Sequence, residues 1–227
     1  MTHDTDISAA DPDGSTDAAA DLVAPDAVPP TAPVRKRPKP GERRVQILQT
    51  LASMLELPGA DRITTAALAA KLEVSEAALY RHFASKAQMF EGLIEFIESS
   101  VFTLVNQIHE RETQPVVQVQ KMLTVLLQFA EKNPGMARVM VGDALVFENE
   151  RLLTRMNQFF ERFESQLRQS LRGRAEDAGS TTPTVDANAQ ASVLTSFAVG
   201  RLQRFARSGF KRSPVEHLDA ALQMLAP

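Results

Sequence analysis

One short stretch of the sequence, SEAALYRHFASK over residues 75–86, holds several side chains able to do chemistry. Tyr80, Arg81 and His82 stand side by side, and Tyr80 is the only tyrosine in the chain. A phenol, a guanidinium and an imidazole next to each other could form a catalytic cluster. They could equally donate hydrogen bonds to the phosphates and base edges of a nucleic acid.

The rest of the sequence argues against catalysis. It contains no glycine-rich phosphate-binding loop, no histidine pair spaced for a metal on a helix, no Gly-x-Ser-x-Gly turn and no pair of carboxylates converging with a histidine. Because there is no cysteine, thiolate nucleophiles, disulfides and cysteine-type zinc sites are excluded. We therefore predict a protein that is not an enzyme and uses no cofactor or metal ion.

The charge of the chain is unevenly distributed. Residues 1–33 contain seven aspartates and no lysine, arginine or glutamate, whereas residues 34–227 contain 25 basic and 21 acidic side chains. Although the net charge of the chain is −3, residues 34–227 are therefore net basic, which suits a nucleic-acid partner. The sequence shows no apolar run of membrane-spanning length and no secretory signal, so we expect a cytoplasmic protein without a membrane partner.

Residues 1–40 are predicted to form a disordered acidic tail followed by a basic arm. The tail, residues 1–33, is rich in Asp, Ala, Pro and Thr without a hydrophobic period; a short pro-segment is the alternative. The arm is interrupted by Pro38 and Pro40 and is either a solvated linker or a segment that lies along phosphates or in a minor groove. Its basic residues are Arg35, Lys36, Arg37, Lys39, Arg43 and Arg44.

Deletion of residues 1–33 is expected to tighten DNA binding at low salt. The seven aspartates are close in sequence to the six basic residues of the arm, and they should compete with DNA phosphates for them. Titration of labelled duplex DNA with the full and the shortened chain measures the effect, which should fade as salt screens the charges. Equal affinities at low salt would reject the competition.

Hydrophobic residues recur at helical spacing from Glu42 onward and no strand-like alternation is present, so the predicted fold class is all-α. Serine or threonine caps, prolines and glycines mark the helix ends. The predicted helices run from Glu42 to the Leu57-Pro58-Gly59 stop, over AALAAKL after Thr64 or Thr65, from Glu76 to about Phe83, from Lys86 to about Glu110, from Val116 to about Lys132, from Glu150 to about Arg174, from Asp186 to Ser208 and from Pro214 to Leu225. The helix over 150–174 carries an apolar face like that of a coiled coil.

The segment 64–84 fits a helix-turn-helix, in which two short capped helices are joined by a tight turn. A recognition helix directs small or hydrogen-bonding side chains toward the bases and bulky apolar ones to its back. The second helix follows this rule, with Leu79 and Phe83 behind. Structural roles are the alternative for its polar residues: a helix cap for Ser75, half-buried core for Tyr80, interhelical packing or solvent for His82, and a local ion pair for Lys86.

The stretch TTAALAAKLEVSEAALYRHFASKAQMF resembles the DNA-binding half of the TetR family of regulators, whose pattern is a capped helix, a turn, Val-Ser and then Leu-Tyr-x-His-Phe-x-Ser-Lys. The resemblance implies a three-helix DNA-binding domain over 41–101. One departure is Glu73, where the family often has glycine and where a left-handed backbone would cost about 1 kcal/mol. The match and the adjacent arm assign these residues to DNA: Arg43, Thr64, Thr65, Ser75, Ala77, Tyr80, Arg81, His82 and Lys86.

The motifs LIEFIE, NPGMARVMVGDALVF and GRLQRFARSGFK are similar to one branch of that family, the nucleoid occlusion factors. This resemblance implies a helical dimerisation domain over 102–227 and a homodimer on palindromic chromosomal sites. It also implies a second partner, the C-terminal tail of the division protein FtsZ, whose ring is kept from assembling over the nucleoid. The residues it points to, in a groove between the fourth and fifth helices, are Phe96, Val125, Gln128 and Lys132.

These four residues match the branch unequally, and the function has alternatives. Phe96 matches but also fits plain core packing, Lys132 replaces an arginine, and Val125 and Gln128 differ from their counterparts.

A ligand-responsive transcriptional repressor would instead enclose a pocket lined by Phe159, Phe160, Phe163 and Phe197. A scaffold whose helix-turn-helix no longer binds DNA is a third possibility, which loss of DNA binding in Thr64→Ala would exclude.

Overall fold

A computed structural model of the chain describes residues 41–57 and 62–226. The predicted tail and the basic arm up to residue 40 lie outside these described residues. Within them the regular elements are helical, as predicted: α1 Glu42–Leu55, α2 Thr65–Lys71, α3 Glu76–Tyr80, α4 Lys86–Arg111, α5 Pro115–Lys132, α6 Pro134–Met140, a short 3-10 helix Asp143–Leu145, α7 Glu150–Asp177, α8 Pro183–Arg207 and α9 Leu218–Leu225. None of the described helices is both long and apolar enough to cross a membrane.

Four of the described α-helices, α2, α3, α4 and α7, begin directly after a residue whose side chain caps the first turn. Ser85 accepts a hydrogen bond from the backbone of Gln88 at 3.2 Å, and the Gln88 side chain accepts one from the Ala84 N–H at 2.7 Å. This reciprocal arrangement satisfies backbone donors that the first turn of α4 leaves unpaired. The left-handed Gly209, with φ +61°, ends α8 as expected. The starts of α1, α4 and α7 are therefore confirmed.

Four segments differ from the sequence prediction. The second helix of the helix-turn-helix, expected to reach about Phe83, ends at Tyr80. The loop expected over 175–185 is shorter, because α7 runs to Asp177 and α8 begins at Pro183, whose fixed φ suits the first helical position. The segment 134–145, expected only as a connection, contains α6 and the 3-10 helix. The last helix begins at Leu218 instead of Pro214, since the chain first makes a turn in which His217 is left-handed with φ +53°.

The first three helices share a core with the start of α4. Ile47 and Leu51 of α1 are at most 1 % exposed, and Leu79 and Phe83, on the apolar back of the helix-turn-helix, are equally buried. Burial of side chains of this size contributes about 1.5–3 kcal/mol each. The exposed face of α3 is therefore held in place by its own apolar back.

Three ion pairs link α4 to α7 and to the segment just before it: Lys86–Glu148, Glu91–Arg151 and Glu98–Arg155. Because the numbers rise together, the two helices run in the same direction. In the third pair Arg155 donates two hydrogen bonds to the Glu98 carboxylate, at 3.1 and 2.6 Å. The hydrogen bond to Glu98 raises the pKa of Arg155. The helix that follows the helix-turn-helix is thus fixed to the body of the protein.

Helix α6 packs against α1 at Gly135. A methyl group added at Gly135 would lie 2.2 Å from the backbone oxygen of Ala52 and 3.3 Å from Cβ of Leu55. A contact of 2.2 Å is far inside van der Waals distance, so the two helices approach this closely only because the residue is glycine.

Candidate functional site

Two hydroxyls of the predicted DNA set cap the short helices. Thr64 Oγ1 accepts a hydrogen bond from the Ala67 N–H at 3.1 Å, and Ser75 Oγ accepts one from the Ala78 N–H at 3.3 Å. Accepting leaves each hydroxyl proton free to donate, since a hydroxyl is one donor and two acceptors. Thr64 and Ser75 can therefore cap a helix and contact a phosphate at the same time.

Thr65 is engaged differently. Its Oγ1 donates to Oε2 of Glu76 at 2.6 Å, which links the first turn of α2 to the first turn of α3. The hydroxyl proton is used in this contact and is not available to a phosphate. Glu76 was expected on the groove-facing side of the second helix, but its bond to Thr65 was not predicted, because no local pattern pairs residues eleven positions apart.

Four further residues of the predicted set lie in the exposed part of the helix-turn-helix. Ala77, Tyr80 and Arg81 have the i, i+3, i+4 spacing that places side chains on one face of a helix. All three and His82 are exposed, with Tyr80 exposed by 46 %. Ala77 and Tyr80 lie in α3, and Arg81 and His82 follow directly at its C-terminal end.

Arg44 has a structural role that the sequence did not indicate. Its Nη1 donates to the backbone oxygen of His82 at 2.8 Å, and its guanidinium lies 4.1 Å from the centre of the Phe83 ring. The side chain therefore ties α1 to the end of the recognition helix. Arg43, the arm residue assigned to DNA, instead donates to Gln46 within α1 at 2.7 Å.

Lys86 forms an ion pair, but with a residue 62 positions away and not with the local partner that the sequence left as an alternative. Its ammonium contacts Glu148 in the segment before α7, and the two side chains are only 24 % and 10 % exposed. The ammonium also lies 5.6 Å from the centre of the Phe90 ring. In this arrangement Lys86 connects the DNA-binding part to α7 instead of projecting freely.

A groove opens beside Phe96. Its volume is about 370 Å³, and Phe96 is 48 % exposed in its wall, so the plain core role considered for this residue is not what the structure shows. The walls come from α1, α4 and the start of α6: Val45, Leu48, Gln49, Ala52, Ser53, Glu56, Leu93, Phe96, Asn133 and Met136. The groove is mainly apolar with a few polar groups, which suits a short peptide or another amphipathic ligand.

The other three residues expected around Phe96 lie on α5, outside the walls of this groove. Val125 is partly buried, whereas Gln128 and Lys132 are exposed. Helix α5 meets Phe96 through Phe129, whose ring centre lies 5.9 Å from that of Phe96. Lys132 is exposed and directly precedes Asn133, a wall residue of the groove, along the chain.

The described residues contain no group of three or more histidine or acidic side chains able to hold a metal ion.

Solved structures with the same fold are transcriptional regulators. The fatty acid degradation regulator FadR from Bacillus halodurans aligns with a TM-score of 0.66 at 14 % identity, covering 83 % of this chain and 97 % of that one. PfmR, a TetR family regulator from Thermus thermophilus, aligns with a TM-score of 0.64 at 18 % identity, covering 81 % and 95 %. At these identities the likeness establishes the fold.

Sequence comparison is more specific. Residues 47–93 match the family described as bacterial regulatory proteins, tetR family, and residues 113–227 match the SlmA-like family described as tetracyclin repressor-like, C-terminal domain. Such proteins are DNA-binding regulators and not enzymes. The nucleoid occlusion factor SlmA of Photobacterium profundum is 51 % identical over 83 % of this chain and 96 % of its own length. That of Vibrio cholerae is 51 % identical over 81 % and 94 %. With both halves matched and an identity this high over nearly the whole of each relative, the chain belongs to the SlmA family of nucleoid occlusion factors, within the TetR-type regulators.

Proposed function

We propose that the chain is a cytoplasmic, nucleoid-associated inhibitor of cell division that binds palindromic chromosomal sites and the C-terminal tail of FtsZ. The observation that carries the proposal is the position of α4. Its first residue follows the helix-turn-helix, and about three turns further on Phe96 lines an open groove. Helix α4 therefore connects the DNA-reading element directly to a candidate peptide site.

A homodimer supplies the symmetry that a palindromic site requires. Helix α8 presents an apolar face at i, i+4 spacing, on which Val185 and Val193 are exposed by 64 % and 54 %. Gly200 continues this face, and a side chain there would meet no atom within 4 Å. Met224 of α9 is 82 % exposed. We assign the dimer contact to α8 and α9, which would set two recognition helices one helical turn of DNA apart, about 34 Å.

The helix-turn-helix supplies phosphate and base contacts of different kinds. Thr64 and Ser75 donate hydroxyl protons to phosphates, and Arg81 adds a charge-assisted contact. Ala77 and Tyr80 face the bases, where a small side chain permits close approach and the phenol can donate or accept. Such binding weakens steeply with salt because each neutralised phosphate releases counterions.

The groove beside Phe96 is the site proposed for the FtsZ tail. Apolar walls would bury the apolar side chains of an extended peptide, and Lys132, next to Asn133 in the chain, would attract an acidic residue. A dimer carries two such grooves, and several dimers on one chromosome region would raise the local concentration of captured tails. The position of the DNA sites would then determine where FtsZ is bound.

Glutamine in place of Glu148 is expected to let Lys86 bind a DNA phosphate. The substitution removes the partner that holds the Lys86 ammonium, so this charge becomes free to reach DNA. The slope of log affinity against log salt should steepen by about 2 for a dimer on a palindromic site, because one additional phosphate is neutralised in each of the two half-sites. Fluorescence anisotropy over a salt series measures it, with the double variant Glu148→Gln and Lys86→Gln as control, which should return to the original slope. A single variant with an unchanged slope would mean that Lys86 lies too far from the phosphates.

The test of the proposed function is capture of a labelled FtsZ tail peptide by the immobilised chain, with and without duplex DNA enriched from the genome by the same chain. Stronger capture in the presence of DNA is expected. No capture under either condition would reject the FtsZ part of the proposal and leave the DNA part standing.

Two of the four aromatic residues expected to line a pocket in the repressor alternative, Phe159 and Phe163, are instead buried in the core. Phe163 is fully buried, and the ring of Phe159 packs between those of Phe102 and Phe160 at centre distances of 5.3 and 5.1 Å. A genome-wide binding map separates the two functions. Dozens of dispersed sites that avoid the replication terminus are expected for occlusion, whereas one or two promoters would indicate a repressor.

A further inference from the structure

Glu76 occupies the position from which a recognition helix reads bases. It is the first residue of α3, and its side chain is exposed. In a helix-turn-helix the N-terminal residues of the second helix meet the base edges in the major groove. The two residues that follow are Ala77 and Ala78, which are too short to reach beyond a glutamate. Glu76 is therefore the longest side chain at the tip of the helix.

The glutamate is held in one orientation by a neighbouring helix. Thr65 Oγ1 donates to Glu76 Oε2 at 2.6 Å across the turn. An ionised carboxylate is an acceptor with about four lone-pair positions, so one bond to Thr65 leaves the second oxygen, Oε1, free to accept. An exposed glutamate normally loses rotamer entropy when it binds, and the bond to Thr65 has already restricted it.

The negative charge of the Glu76 carboxylate limits which groups of DNA it can contact favourably. A carboxylate close to DNA is repelled by phosphates, so at this position it is favourable only opposite a hydrogen-bond donor. The major groove offers two amino groups, N4 of cytosine and N6 of adenine. Adenine presents the acceptor N7 beside its amino group, which repels a carboxylate, whereas cytosine presents only the donor.

We propose that Glu76 is a specificity-determining residue that accepts a hydrogen bond from the N4 amino group of one cytosine in each half-site, with Thr65 as its positioning residue. The inference rests on the DNA-reading function proposed above and adds the base to it. It also moves Thr65 from the phosphate-binding set to the support of Glu76.

Selection from a randomised duplex DNA library tests the proposal with the full-length chain. The unmodified chain should enrich a C·G pair at one fixed position of each half-site, preferred by about ten-fold. Glu76→Gln should switch that position to A·T, because glutamine pairs with N6 and N7 of adenine, and leave the other positions unchanged. Thr65→Val should keep the cytosine but weaken the preference. Glu110→Gln, the same charge change at an exposed residue near the far end of α4, is the matched control and should select the original site.

The outcomes separate this inference from the function on which it rests. A new preference for adenine cannot result from unfolding, and loss of preference confined to the one position also supports the role. A Glu76→Gln variant that selects the original site, or that loses every position together, overturns it. If the unmodified chain enriches no sequence, the DNA-reading function itself fails.

Discussion

Alanine at Gly135 is expected to lower the stability of the protein by about 3 kcal/mol, the upper part of the range for an overpacked core. The added methyl would meet the Ala52 backbone oxygen at 2.2 Å, and backbone cannot rotate out of the way as a side chain can. Helix α1 or α6 must shift instead. For a chain of this size the loss corresponds to a melting temperature lower by about 6–12 °C.

Thermal unfolding followed by circular dichroism measures this difference, and the chain provides a matched control. Gly173 lies in the interior of α7, where an added methyl meets nothing within 4 Å. Gly173→Ala should therefore raise stability by about 0.5–1 kcal/mol, the ordinary helix preference for alanine. If Gly135→Ala and Gly173→Ala melt at the same temperature, the close packing of α6 on α1 is wrong.

Truncation of Phe96 to alanine is expected to weaken binding of the FtsZ tail by about thirty-fold, the loss of an aromatic hot spot worth about 2 kcal/mol. Because the ring is 48 % exposed, its removal leaves little cavity and should change the fold only slightly. DNA affinity should stay the same, since Phe96 lies about three turns from the start of α4.

Anisotropy of a labelled tail peptide measures the first effect, and anisotropy of labelled DNA the second. Leu153→Ala is the matched control, because Leu153 is 43 % exposed on α7 and does not line the groove. It should bind the peptide as the unmodified chain does. Peptide affinity within two-fold of the original in Phe96→Ala would move the FtsZ site away from this groove.

What the sequence could predict here is local. Thr64, Ser75 and Ser85 indicate helix starts because the cap and the backbone groups that it satisfies are three residues apart. The turn at Glu73 has the left-handed backbone of the TetR-type turn, with φ +54°, although the residue is not glycine. The Val74 N–H still bonds to the Ala69 oxygen at 3.0 Å, so the turn closes in the usual way.

What the sequence could not predict depends on distant partners. Lys86 and Glu148 are 62 positions apart, and Arg44 reaches the His82 oxygen across 38 positions. No periodicity connects such residues. The sequence therefore could not indicate that Lys86 pairs with Glu148, or that Arg44, counted with the basic arm, holds the end of the helix-turn-helix. The walls of the groove could not be predicted either, because residues of α1 and α6 come together beside Phe96 only through tertiary packing.

The central claim is that DNA-bound copies of the chain act on FtsZ, and sedimentation of FtsZ polymers tests it most directly. Polymerised FtsZ is pelleted alone, with the chain, with its selected DNA site, and with both. We predict that the pelleted fraction falls most when chain and DNA are present together, and that Phe96→Ala restores it. An unchanged pellet in the presence of both chain and DNA would contradict the claim.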